Sequence, residues 1–390
     1  MSDWQEASLA DLAEYINGRA INPEECSTQQ GIPVIRIKQI NDPQSIEDRF
    51  CGDDLEEKNI ARCGDLLFSW SATLKTILWQ GPTGAINQHI FKVLPKEGID
   101  KTFLHYLIDH SIPALTEESH GSTMTHIKKS ALSTFNLQIL PLPEQKKIAE
   151  ILSGIDELII ATQKRIDKIR VAHEGLANSW QERVSLEAEE GTIGDLIASI
   201  DSGWSPACEE VPPKSGEWGV LKVSAVTKGY FCEEESKRLP LDLEPRNQLQ
   251  IRKGDLLITR ANGNLDLVGK GAIVTDEPNA RLLMSDKILR LNPGSNCDRD
   301  FLLLLLNSRR VRQQIETAVG GSTGAKNIGQ GLLRQITVSI PAPRSQTKIG
   351  NLSRTLSVTL VSYNKKLNYL MSLKKGLSSD LLSGRKRVTV

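Results

Sequence analysis

Two stretches of this chain set apolar or tolerated side chains at alternating steps of four and three, and the second stretch repeats the first 201 residues later. The first runs Ile148, Leu152, Ile155, Ile159, Thr162, Ile166, Ile169, His173, Leu176 and Trp180, and the second Ile349, Ser353, Leu356, Leu360, Tyr363, Leu367, Leu370, Lys374, Leu377 and Leu381. That spacing is the a/d seam of a heptad. A 3.5-residue period kept over so many turns calls for another helix as partner rather than the helix's own domain, and the obvious partner for each seam is the other. Each helix is about 50 Å long at ~1.5 Å per residue, more than the radius of a domain. Prolines just before each seam suit a helix start, and Gly175 and Gly376 interrupt both patterns near their ends. The polar lapses coincide at the eighth position, His173 and Lys374, and read as packed positions near solvent rather than as catalytic groups.

The rest of the chain is duplicated with them. Asp11-Leu12 with Ile16 matches Asp195-Leu196 with Ile200 at an offset of 184, and Val34-Ile-Arg-Ile37 matches Val220-Leu-Lys-Val223 at 186. Gly64-Asp-Leu-Leu67 matches Gly254-Asp-Leu-Leu257 at 190, and Asp100-Lys-Thr-Phe103 matches Asp298-Arg-Asp-Phe301 at 198. Gly121-Ser-Thr123 matches Gly321-Ser-Thr323, and Pro141-x-Pro143 matches Pro341-x-Pro343, both at 200. Each fragment alone is an ordinary turn or cap. Their common order, with an offset that only grows, is the mark of a duplicated domain whose second copy gained residues in loops. A chain of 390 residues is long enough for two such cores.

Within each copy the pattern predicts a mixed α+β domain. It opens with a helix (Leu9 to Ile16; Ile193 to Ile200) and continues with short strands. In the first copy these are Val34 to Ile37, Leu66 to Ser69, Thr76 to Trp79 and His89 to Val93. In the second they are Val220 to Val223, Leu256 to Thr259, Ala272 to Val274 and Lys287 to Leu291. A late helix comes next, Thr102 to Asp109 and Arg299 to Asn307. The implied boundaries are a first domain over 1–140, a central helix over 141–187, a second domain over 188–340 and a distal helix over 341–390.

Lysine plus arginine balance aspartate plus glutamate at 48 each, so any contact with nucleic acid must be local. The acidic start Met1-Ser-Asp-Trp-Gln-Glu has no apolar leader, and Phe301 to Leu306 is the longest apolar run, which points to a soluble, cytoplasmic protein with no membrane partner. The six cysteines (Cys26, Cys51, Cys63, Cys208, Cys232, Cys297) form no C-x-x-C pair and read as reduced thiols. The six histidines form no metal-binding spacing, so a metal enzyme is not expected.

With both helices in view, the chain resembles the specificity subunit of type I restriction-modification enzymes over essentially its full length. The resemblance rests on Leu140-Pro-Leu-Pro-Glu-Gln-Lys-Lys-Ile-Ala-Glu-Ile-Leu-Ser153-x-Ile155-Asp156 and on Leu373-Lys-Lys-Gly-Leu-Ser-Ser-Asp-Leu-Leu-Ser-Gly384. The repeated Gly-Asp-Leu-Leu and Gly-Ser-Thr and the order of parts add to it. It implies two pseudo-repeated mixed α/β target-recognition domains separated by two long antiparallel coiled-coil helices, in a prokaryotic protein of DNA methylation and phage defence. Each domain would read half of a split double-stranded DNA target in the major groove. The helices would act as a ruler between half-sites and dock methyltransferase subunits, expected to be two, with restriction/translocase subunits joining through the complex. The second copy departs from the pattern at Pro343-Arg-Ser-Gln346, where an extra residue stands against Pro143-Glu-Gln145.

A recognition domain needs phosphate contacts for register and groove-reaching polar side chains for sequence. The candidates in the first copy are Arg36, Lys38, Gln39 and Asn41; Ser69, Trp70, Ser71, Thr73 and Lys75; and Ser122, Thr123, His126, Lys128 and Lys129. In the second copy they are Lys222, Ser224 and Lys228; Arg260, Asn262 and Asn264; and Ser322, Thr323, Lys326 and Asn327. Arg260 and Asn262 are the sharpest, since arginine pairs bidentately with guanine and asparagine with adenine. The tail Arg385-Lys-Arg387 is either a phosphate contact or a solvated end.

No methyltransferase motif accompanies them. Asn22-Pro23 is followed by Glu24 and Asn292-Pro293 by Gly294, where an Asn/Asp-Pro-Pro-aromatic run is needed. Gly263 to Lys270 and Gly320 to Lys326 both miss the phosphate-loop spacing. The chain therefore reads as a binding subunit without a cofactor, not an enzyme. The alternatives are a specificity protein of a type IIB-like assembly and a coiled-coil scaffold with no DNA role.

Overall fold

The computed structural model describes residues 5–117, 127, 129–184, 188–319 and 326–389. The chain divides into two compact units, Met1–Ile160 with Tyr369–Val390, and Ala161–Asn368. The α+β class, with two similar domains and two long helices, is borne out.

In the first unit an antiparallel sheet carries the strands in the order Ala13–Asn17, Ile90–Pro95, Leu66–Ser69, Lys75–Leu78. In the second the order is Ile197–Ser202, Ile288–Pro293, Leu256–Thr259, Gly271–Ile273, the same arrangement of equivalent strands. Each Gly-Asp-Leu-Leu strand alternates its side chains between two buried faces, as a pleat with a layer on either side requires. Leu66 and Phe68 face a helical core with Phe91, Phe103 and Leu104, whereas Leu67 faces Ile35, Ile86 and Trp79. Leu256 and Ile258 likewise face Phe301 and Leu305, and Leu257 faces Leu221 and Leu282. The layer opposite the helices is a small sheet in which Ile32–Ile35 runs parallel to Gly84–Ile86, and Trp218–Leu221 parallel to Arg281–Leu283. Each domain closes on itself, its first strand pairing antiparallel with its last: Gln5–Ser8 with Asn136–Ile139, and Glu189–Thr192 with Thr337–Ile340.

The long helices run Leu142–Val184 and Pro343–Leu382, longer than their seams demanded and unbroken at Gly175 and Gly376. No seam residue is exposed: Ile148, Leu152, Ile155, Ile166, Leu360, Leu370 and Leu381 are buried, and Ile159, Ile169, Leu176, Leu356, Tyr363, Leu367 and Leu377 partly so. In the first unit Lys374 pairs with Asp156 at 2.6 Å and Arg387 with Glu144. In the second, the His173 imidazole meets the Ser353 hydroxyl at 3.1 Å. Partner numbers fall as the first helix rises, so the pairing is antiparallel. The two coincident polar lapses each find a polar partner across the seam.

Several local expectations are corrected. The opening helices stop after one turn, at Leu9–Leu12 and Ile193–Leu196, and the residues after them are strands, Ala13–Asn17 and Ile197–Ser202. A capping box starts each turn, but Ala13 and Tyr15 are buried with Glu14 exposed, and this period of two lets the chain join the sheet. The strand expected to reach Ile37 ends at Ile35, because Ile37–Asn41 is a short helix. Its counterpart ends at Leu221, before the short helix Ser224–Thr227. The first late helix extends to Glu117. Finally, no extra residue stands before the second long helix. The last strands and the helix starts are related by 201, so Leu140 corresponds to Pro341, and the matching of the two P-x-P runs at 200 is one residue out of phase.

Candidate nucleic-acid interface

Repeated fragments within the described residues secure backbone. Ser8 and Thr192 head capping boxes with Asp11 and Asp195, whose carboxyls are held below the ordinary aspartate range by the hydrogen bonds they accept from those residues. In Gly-Asp-Leu-Leu the glycines take φ of 89° and 98°, a left-handed conformation that glycine adopts freely. Asp65 accepts the Arg62 amide at 2.8 Å and pairs with Lys92 at 3.0 Å, and Asp255 accepts the Arg252 amide at 3.0 Å and pairs with Arg290 at 3.2 Å. Lys92 and Arg290 stand at equivalent places on the neighbouring strand, so each sheet encloses one paired cation. Asp100 and Asp298 accept amides at the start of the late helices, and Lys101 and Arg299 donate to the Gly64 and Gly254 carbonyls.

The nominated residues fall into two groups, those spent within the fold and those left at its edge. In the first unit Arg36 pairs with Asp48 at 3.0 Å and Lys38 with Glu47. Gln39 is 3% exposed and consumed by the Arg36 amide and the Ser45 carbonyl, while Asn41, exposed, donates to the Ile37 carbonyl at 3.4 Å. Ser69 and Ser71 are buried, Thr73 and Lys75 exposed, and Lys129 donates to the Tyr15 carbonyl at 2.8 Å. In the second unit Ser224 and Lys228 both converge on Glu235, at 2.6 and 2.7 Å, and these two bonds hold its carboxyl below the ordinary glutamate range. The Lys222 amide donates to the Glu235 carbonyl. The tail cations are paired inside the first unit, Arg385 and Lys386 with Asp380 and Arg387 with Glu144. Ser122, Thr123, His126, Lys128, Ser322 and Thr323, and with them both Gly-Ser-Thr runs, lie outside the described residues.

Two of the separately nominated segments are brought together. Ala261–Asn262 pairs antiparallel with Lys326–Asn327, setting Asn262 opposite Lys326. The Asn262 side-chain oxygen accepts the Asn264 amide at 2.9 Å, and Asn264 in turn accepts from Asp266, so these asparagines shape the turn that carries them. Beside this ribbon the Arg260 amide donates to the Lys287 carbonyl at 2.7 Å and the Ile328 amide to the Arg260 carbonyl at 2.9 Å. The first unit repeats the frame: Trp70 donates to the His89 carbonyl at 3.3 Å and Ile127 to the Trp70 carbonyl at 3.0 Å. Sequence reading missed His89 and Lys287 as members of this edge. Lys287 opens the strand matched to His89's, and that equivalence was the available signal.

Lys228 also lines a cleft of about 580 Å³ with Lys270, Arg309 and Arg312 on its walls. Arg312 is committed to backbone, donating to the carbonyls of Leu265, Asp266 and Val268. Among the described residues no group of histidine, cysteine, aspartate and glutamate could hold a metal ion, and no helix is long and apolar enough to cross a membrane.

Comparison with known proteins gives a consistent set. Residues 1–171 match the family model described as the type I restriction modification DNA specificity domain. The chain is 36% identical over 160 residues to the type I restriction enzyme EcoEI specificity subunit of Escherichia coli, a match covering 40% of this chain and 27% of that protein. It is 24% identical over 413 residues to the MjaVIII specificity subunit of Methanocaldococcus jannaschii, which covers 99% of this chain and 93% of that one. In fold it is similar to the crystal structure of a type I restriction-modification S subunit from M. genitalium, with a TM-score of 0.65, 15% identity, and coverage of 97% of this chain and 96% of that one.

Proposed function

Because the chain belongs to the family of type I restriction-modification specificity subunits, we propose that it is the non-catalytic DNA-reading component of such an enzyme. Each globular domain, 1–140 and 188–340, reads one half of a bipartite double-stranded target in the major groove. The helical segments, 141–187 and 341–390, set the spacing between half-sites and dock two methyltransferase subunits, through which restriction/translocase subunits join.

One observation carries this reading: two domains built on the same order of four sheet strands differ at the loop edge, where Trp70 stands in one and Arg260 in the other. Two copies with identical edges would serve two identical half-sites. Different edges on one frame suit a target of two unlike halves. The Arg260, Asn262, Lys326 and Asn327 edge is the DNA-contacting candidate of the second domain, and Trp70, Thr73 and Lys75 that of the first. Arg36, Lys38, Ser224 and Lys228, already spent on Asp48, Glu47 and Glu235, shape their loops in this reading rather than contact DNA, which leaves Lys222 as the phosphate candidate of that group.

The test is to express the full chain with its methyltransferase partner and map methylated bases in the host genome. A split adenine-methylation motif with a short unspecified spacer is the expected outcome. Methylation at a continuous motif, or none that depends on this chain, would reject the reading.

A further inference from the structure

We propose that one register position in each unit, Trp70 in the first and Arg260 in the second, decides the base sequence of the half-site that unit reads, and that Arg260 selects guanine. This rests on the reading of the two units as DNA-recognition domains.

The position is defined by the backbone. In both units it is the residue just past the Gly-Asp-Leu-Leu strand, its amide bonded to the carbonyl of His89 or Lys287 and its carbonyl to the amide of Ile127 or Ile328. A peptide clamped from both sides presents its side chain from a fixed Cα, as reading a groove demands. On this common frame the chemistry changes completely. The Trp70 ring lies 5.6 Å from the His89 ring and 5.8 Å from the Phe91 ring, half-buried against the core of the first unit, whereas the second sets Arg260 beside Lys287. The shared capping boxes, Gly-Asp-Leu-Leu turns and late-helix aspartates serve the scaffold; this position differs.

Arg260 is also held as an unfilled donor. Its Nε is enclosed and has no hydrogen-bond partner among the described residues. Asp286, which feels its charge, is already bonded to Lys287 at 2.7 Å and to Ser205 at 2.5 Å. An enclosed Nε without an acceptor among the described residues costs stability in the free protein, and swinging the side chain out to a ligand with paired acceptors recovers it. Guanine offers O6 and N7 side by side in the major groove, spaced to match the guanidinium fork. A phosphate would also accept this fork but carries no sequence, so its loss weakens all sites alike.

The experiment maps methylated motifs for the full chain with its methyltransferase partner, as wild type, Arg260→Gln and Trp70→Arg. Arg260→Gln should lower methylation of the wild-type target about ten- to a hundredfold, relax or change one guanine position of the second half-site, and leave the first intact. Trp70→Arg should alter the first half-site alone; if Arg260→Gln fails to fold, Arg260→Lys, which keeps the charge but not the paired fork, tests the guanine choice in its place. A wild-type split motif that stays the same in both variants overturns the proposal, as does a loss uniform across sequences, which would mark a phosphate contact. A wild-type chain that directs no split methylation overturns the DNA-recognition reading itself.

Discussion

Gln346 is 1% exposed and uses its amide three ways, accepting the Asp298 amide at 3.1 Å and donating to the carbonyls of Pro341 at 2.9 Å and Asn296 at 3.3 Å. Gln145 does the same 201 residues earlier, with Asp100, Leu140 and Gly98. Each glutamine staples the first turn of a long helix to the loop before its domain's late helix. Replacing Gln346 with alanine strands buried backbone groups and should cost about 2–4 kcal/mol, read as a lower urea midpoint. A cost below about 0.5 kcal/mol would refute the staple. These glutamines stood in plain view in the sequence, yet their shared geometry was hidden by the out-of-phase P-x-P match. Gln39 misled in the opposite way: it had the right chemistry for a base contact, but its partners, Arg36 and Ser45, are backbone groups that only the fold reveals. Reading residues are illegible for this reason, since a polar loop side chain has the same identity whether it faces DNA or its own turn.

The long helices were the most legible elements because a seam of ten apolar or tolerated positions writes its period into the chain. The one-turn helices at Leu9 and Ile193 were the least legible, since sheet pairing with Ile90–Pro95 and Ile288–Pro293 overrides local preference from Ala13 and Ile197 onward. Strands such as Leu66–Ser69 and Leu256–Thr259 fell within their expected bounds, both being apolar runs entered by a glycine turn. If the helices set half-site spacing, matched insertions should move it. Four residues added after Ala161 and four after Ser362 lengthen each helix by about 6 Å and rotate the downstream part of the helix by roughly 40°. The spacer in the methylated motif should lengthen while both half-sites survive. An unchanged spacer in a folded, active double insertion would remove the ruler from the account.

Each domain is also a closed module, because Gln5–Ser8 pairs with Asn136–Ile139 and Glu189–Thr192 with Thr337–Ile340. Exchanging residues 1–140 for the first domain of another family member should therefore change one half-site and leave the other and the spacer as they were, again read from methylated bases. A change in both halves would show that the domains do not read independently. The core of the first unit has a second property, however: Leu377, Leu381, Leu382 and Val388 pack with residues from Leu9 to Leu152. The second unit is a single run, Ala161–Asn368. On the ribosome, the half made later thus has all its parts first, while the half made earlier waits with an open apolar face for the last residues of its core to emerge. A chain that stops at residue 368 would keep every segment of the second unit and lack Leu377, Leu381, Leu382 and Val388 of the first, so truncation from the far end should unfold the amino-terminal half.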